Sequence, residues 1–217
     1  IQAAEQSGGG KVYLEYEPKV AAIGAGLDIF KPRGNMVIDM GGGTSDIAIL
    51  SLGDIVSSQS IRMAGDKMNS DIASYIKNKH GLVIGEHTAE KIKMELGTAL
   101  RVDDPETMDV RGRDVATGMP KQITVNENEI EEALHDTLEQ IVSAAVNVLE
   151  TIPPELASDI IDRGIMLTGG TSLLKGVDQL FSARLKVPVV VSQDPLDNVA
   201  KGAGEMLERM QKTERKK

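Results

Sequence analysis

Apolar positions along the chain change period several times, and each change marks an element. Residues 35–40 are mostly apolar and read as a strand, closed by Gly41-Gly42-Gly43. A second strand over 46–52, a turn at Gly53-Asp54 and a third strand over 55–63 complete an antiparallel meander. The period then becomes helical, with Met68, Ile72, Tyr75 and Ile76 on one face and Gly81 placed as a C-cap. Upstream, 11–16 read as a short strand and 19–25 as a small-residue helix. Pro18 suits that helix's first position, where its missing N–H costs nothing. Residues 31–34 read as a loop.

Beyond residue 81 the character shifts. A helix over 88–100, the acidic loop at 103–106 and two short strands around 108–110 and 122–125 form a small α+β insertion. The longest helical pattern follows over 127–151, with the stripe Ile130, Leu134, Ile141, Val142, Ala145, Val148 and Leu149. Asn126 with Glu129 three residues on predicts a capping box, and Pro153-Pro154 ends the helix. Then come a buried strand at 165–167 and a turn at Gly169-Gly170 into a helix bearing Leu173, Leu174, Val177 and Leu180. A strand over 187–191 precedes a last helix with Val199, Ala203, Met206, Leu207 and Met210, a stripe suited to core packing. These β-turn-α units predict an α/β layer fold.

Composition narrows the chemistry. At 217 residues the chain is long enough for a real core, and its 41% hydrophobic and 26% charged content is that of a globular protein. It has no cysteine, which removes disulfides, thiolate metal sites and cysteine nucleophiles. A net charge of -9 and only three tyrosines and two phenylalanines argue against nucleic acid as a partner. No apolar run reaches membrane-spanning length. The first residues carry neither an initiator Met nor a signal peptide, which suggests a chain that begins inside a longer protein.

Two glycine clusters carry the candidate chemistry: Asp39 to Asp46 (DMGGGTSD) and Leu167 to Ser172 (LTGGTS). Glycine lets backbone N–H groups approach an anion and tolerates positive φ. The second cluster has a strand-turn-helix order, in which a helix N-terminus favours negative charge. The first joins two strands, so its donors come from a hairpin turn. Neither matches a P-loop or a Rossmann fingerprint. A single glycine hairpin is commonly only a turn; two at strand ends, flanking a helical insertion, point to phosphate.

The stretch 39–46 resembles the second phosphate loop of the actin, heat-shock chaperone and sugar-kinase superfamily, and 168–174 resembles its adenosine motif. Glu17-Pro18 with 21–24, Ile84-Gly85-Glu86 with 88–90, 110–114, 153–156 and 162–164 are similar to the MreB-type bacterial actin homologues and their close paralogues. The resemblance covers nearly the whole chain. It implies an actin-like ATPase fold of the ribonuclease-H-like kind, α/β with an inserted α+β subdomain and with the first domain largely missing. Residues 1–34 would end the first domain, 35–81 and 126–217 would form the second, and 82–125 the insertion. The family's first phosphate loop would precede everything present here.

By that resemblance Glu17 orients the attacking water and Thr44 assists, either on a terminal phosphate or by holding Glu17. Gly41, Gly42, Gly43, Thr44, Gly169, Gly170, Thr171 and Ser172 bind ATP phosphates and adenosine, and Glu90 and Lys93 contact ribose and base. Asp39 holds Mg2+ through water, since that ion keeps its waters and takes few carboxylates. Each residue has a plainer reading. Glu17 is also a helix-start acid, Asp39 a turn residue, Thr44 a strand former, and Glu90 with Lys93 a solvated pair three residues apart. Tyr16 and Lys19 depart from the family pattern, and Thr171 replaces its usual glycine, which would crowd base or phosphate. Arg111 and Arg113 on a hairpin read as solvent-facing.

The implied protein is a cytoplasmic, head-to-tail filament that lies against the inner face of the membrane, hydrolyses ATP slowly and organises cell shape. The 217 residues alone are expected to be inactive. The tail residues Arg209, Lys212, Arg215, Lys216 and Lys217 suit anionic lipid or a solubilising end. Other readings are a noncatalytic interaction fragment, a monomeric chaperone-type ATPase, which would need a peptide-binding domain, and a sugar kinase, which would need a substrate carboxylate.

Overall fold

The computed structural model describes residues 2–6, 8 and 12–214. A five-stranded sheet of order β3-β2-β1-β7-β8 forms the body. β1 (Asn35–Met40), β2 (Ser45–Ser51) and β3 (Asp54–Ile61) are the antiparallel meander, while β7 (Ile165–Thr168) and β8 (Val189–Val191) join β1 in parallel. Every residue of β1 is buried because it is the central strand with helices on both faces. Met36, Ile38 and Met40 face one core with Ile47 and Ile49, Met68 and Ile72 of α3 (Gly65–His80), and Ile141 and Ala145 of α5 (Glu127–Glu150). Val37 faces the other core with Ala48 and Leu50, Ile29, and Ala22 and Ile23 of α2 (Glu17–Gly24). The two-residue period of the strand divides these cores.

A three-stranded sheet, β4 (Leu82–Val83), β5 (Thr107–Asp114) and β6 (Pro120–Asn126), packs with α4 (Glu86–Leu96) between α3 and α5. Its hairpin is longer than the pattern suggested, because the register runs from Thr107↔Asn126 to Arg113↔Pro120. The capping box at Asn126 is present: its side chain accepts from the Glu129 N–H at 3.1 Å, and Glu129 accepts from the Asn126 N–H. Gly81 takes the left-handed C-cap conformation, φ 63. The chain closes with α6 (Pro154–Arg163), α7 (Val177–Leu185) and α8 (Asn198–Glu214), and a short α1 (Gln2–Gln6) stands at its start.

Several elements differ from the pattern. Residues 12–16 form no strand, because among the described residues no neighbouring strand pairs with their backbone; Leu14 and Tyr16 are exposed. Lys11 lies outside the described residues. Gly169-Gly170 does not open an α-helix directly. One 3₁₀ turn (Gly170–Leu173) is broken by extended Leu174 and left-handed Gly176 before α7 starts at Val177, and Leu173 is consequently exposed. β8 starts only at Val189, while the Pro188 carbonyl accepts from the Ile165 N–H at 2.8 Å. β3 ends at Ile61, and α4 lies at 86–96 rather than 88–100.

Candidate functional site

The two glycine loops meet at the ends of β1 and β7. Gly41 closes the first hairpin by donating to the Thr44 carbonyl at 2.9 Å. Its own carbonyl accepts from the Gly65 N–H at 3.1 Å and from the Thr171 hydroxyl at 2.8 Å. Thr171 therefore ties one loop to the other, and its hydroxyl has a structural partner rather than merely crowding a ligand. Gly169 sits at φ +80 against Asp39; a Cβ there would collide with the Met40 carbonyl and lie 2.5 Å from Asp39 Oδ1. Glycine is required at that position by both strain and space.

These contacts frame a cleft of about 510 Å³, within the size range of small-molecule sites. Gly41, Gly42, Gly170 and Thr171 line it from the sheet, and Glu90 and Lys93 from α4. Met94, Leu173, Leu174 and Leu196 provide its apolar surface. Lys93 is half-buried and donates to the Gly65 carbonyl at 3.0 Å. Burial pushes its pKa down, and the charges of Glu90 and Asp66 partly offset this. A partly desolvated ammonium beside the glycine loops suits an anionic or electron-rich ligand.

The other expected residues fall around this cleft rather than on its wall. Gly43 is exposed at the hairpin tip. Ser172 is buried and donates to the Gly169 carbonyl at 2.7 Å, so it braces the loop. Thr44 donates to Asp46 Oδ2 at 2.8 Å, not to Glu17; it lies just ahead of β2, and its side chain turns to the residue two positions on. Asp39 is only 6% exposed. Desolvation, followed by repulsion from Glu17 and Asp46, pushes its pKa up to about 6. Glu17 begins α2 and is exposed. It lines a second hollow, between α2 and α8, together with Tyr13, Val20, Met206 and Met210. Its charge still reaches Asp39 and helps to raise that carboxyl's pKa.

Gly65 and Asp66 were not anticipated. Gly65 starts α3 directly beneath the cleft, where a Cβ would stand 3.0 Å from Lys93 Nζ and 3.2 Å from Thr171 Oγ1. Asp66 donates its N–H to the Gly42 carbonyl at 2.8 Å. A small residue and an acid just ahead of the Met68-Ile72-Ile76 stripe were the available signal.

A buried acid that a hydrated cation would relieve, next to glycine loops at strand ends and a partly buried lysine, is a donor set that fits magnesium and a nucleotide. Among the described residues there is no group of three or more His, Cys, Asp or Glu side chains that could hold a metal ion.

The fold is that of an actin-like protein. The chain superposes on the crystal structure of MreB5 of Spiroplasma citri bound to AMPPNP with a TM-score of 0.95 at 36% identity, covering 99% of this chain and 65% of that one. It shares the fold of the MamK double helical filament, with a TM-score of 0.71 at 20% identity over 88% of this chain and 58% of that one. The chain belongs to the MreB/Mbl family, whose model, described as MreB/Mbl protein, matches residues 1–215. It is 56% identical over 216 residues to the cell shape-determining protein Mbl of Bacillus subtilis, covering 100% of this chain and 65% of that protein. The chain thus spans about two thirds of the length of the relatives it matches.

Proposed function

We propose that this chain forms one wall of the ATP site of a filament-forming, actin-like protein that determines cell shape. The observation that carries the reading is the junction of the two glycine loops, tied through Thr171 and Gly41 beneath Lys93. The family's Mbl relative is a cell shape-determining protein, the MreB5 neighbour binds AMPPNP, and MamK forms a double helical filament. These support nucleotide binding and a head-to-tail homopolymer over a monomeric chaperone-type ATPase or a sugar kinase.

In this reading Gly41, Gly42, Gly170 and Thr171 receive phosphates, Glu90 and Lys93 face ribose and base, and Gly43, Gly169 and Ser172 keep the loops in shape. Asp39 would hold Mg2+ through water, and the ion would supply neutralisation of phosphate charge. Glu17, whose charge reaches Asp39, orients water, since phosphoryl transfer depends chiefly on positioning and electrostatics. The 217 residues alone bind ATP weakly or not at all, because donors from a first phosphate loop are absent from them. Membrane attachment on the cytoplasmic side belongs to the same proposal. No described helix is long and apolar enough to cross a membrane.

Calorimetric titration of ATP into the full-length protein, with and without Mg2+, tests the site. Micromolar, Mg2+-dependent binding that weakens about tenfold in Lys93→Met is expected. Absence of binding, or equal affinity in the variant, would overturn it.

A further inference from the structure

Lys175 occupies a position that the nucleotide reading leaves unexplained. It lines the cleft beside Leu174, yet its ammonium points away from the glycine loops, reaching Glu127 Oε1 at 2.6 Å and Glu106 Oε2 at 3.2 Å. Its backbone is held as well: its N–H donates to the Gly97 carbonyl at 3.3 Å, and its carbonyl accepts from the Ala99 N–H at 2.7 Å. Thr98 and Lys175 form an isolated parallel bridge.

These contacts join three elements that are distant in sequence. Gly97 to Ala99 is where the chain leaves α4, the wall that carries Glu90 and Lys93. Glu106 immediately precedes β5, and Glu127 begins α5 at the point where the chain leaves β6. Glu127 is only 5% exposed and also accepts from the Glu106 N–H at 3.0 Å. The Lys175 hydrogen bond holds the Glu127 carboxyl below the usual range, and Glu127 in turn raises the Lys175 ammonium. The pair stays ionised together. Glu106 is exposed and adds little. Glu127 is buried, so its pairing is geometrically strict.

We propose that Lys175 is a positioning residue: its backbone joins the two walls of the cleft, and its ammonium, through Glu127, braces that junction against the exit from β6 and so couples occupancy of the cleft to the three-stranded sheet. This rests on the nucleotide reading above. The cleft has one wall on the loop at 170–175 and the other on α4; the Lys175 backbone holds both at Gly97 and Ala99, while its ammonium grips the exit from β6. A ligand that spans the walls therefore binds best when this tie fixes their separation, and by reciprocity its binding steadies the sheet.

The test uses the full-length protein and ATP with Mg2+. Lys175→Met keeps the stem and leaves Glu127 buried without its cation. It should weaken binding about tenfold, lower the melting temperature and abolish ATP-induced hydrogen-exchange protection over β5 and β6. The double variant Lys175→Met/Glu127→Gln removes both charges and should recover most of the melting temperature but not the affinity or the protection. Lys175→Arg, which keeps the charge and the fold if Lys175→Met does not fold, should bind within a fewfold of the parent. If the double variant regains affinity together with stability, Lys175 is structural only and the proposal falls. It also falls if Lys175→Met binds like the parent with protection intact. If the parent itself binds no ATP, the nucleotide reading fails first, an outcome distinct from a parent that binds and variants that do not differ.

Discussion

Replacing Asp39 by Asn isolates the cost of a buried charge. The side chains are nearly isosteric, so the change removes ionisation and little else. Folding moves this carboxyl from an ordinary value of 3.8 to about 6. That displacement corresponds to about 3 kcal/mol between protonated and ionised forms. Its sign follows from proton linkage. Between about pH 4 and 6 the native state retains a proton that the unfolded chain has released. The stability held below the ordinary value is lost as pH rises through the folded one, and at neutral pH the full cost remains. Asp39→Asn should therefore be more stable than the parent by up to about 3 kcal/mol at pH 7.5 and about equal to it at pH 4. Urea denaturation of the full-length proteins at both pH values, with matched m-values, measures this. Mg2+ should narrow the gap at pH 7.5 in the presence of ATP, by stabilising only the ionised parent. A pH-independent difference, or a less stable Asn variant at pH 7.5, would refute the reasoning that desolvation dominates at this site.

Gly169→Ala places a Cβ against the Met40 carbonyl in a left-handed backbone, and a loss of about 2–4 kcal/mol is expected in the same denaturation assay. Glu17→Gln should slow single-turnover phosphate release at least about a hundredfold with little change in ATP affinity; parental release would make Glu17 a helix-start acid only. Within the tail, Arg209 stacks on the Phe30 ring at 4.4 Å and Lys212 pairs with Glu208 at 3.5 Å, while Arg215, Lys216 and Lys217 lie outside the described residues. Substituting Lys212, Arg215, Lys216 and Lys217 with Ser should reduce salt-sensitive co-sedimentation of filaments with anionic vesicles without lowering filament yield. Undiminished co-sedimentation at low salt would place membrane attachment elsewhere.

Much of this architecture was legible along the chain because its signals are local. The largely apolar run at 35–40, the strand and turn pattern that follows it and the Asn126/Glu129 capping box each depend on neighbours a few residues away. The glycine loops were legible for the same reason, since the amino acid's freedom is written at its own position. What the sequence could not contain was partnership across long separations. Whether residues 12–16 become a strand depends on a neighbouring strand, and none lies beside them among the described residues. Thr44 turns to Asp46, two residues on, whereas Thr171 turns to Gly41, 130 residues away, because β1 and β7 lie side by side. Gly65 became visible as part of the site only once α3 had packed under Lys93. The raised pKa of Asp39 and the tie from Lys175 to Glu127 likewise come from burial and approach. Local pattern chose the elements, and the packing of helices on both faces of one sheet decided which side chains meet.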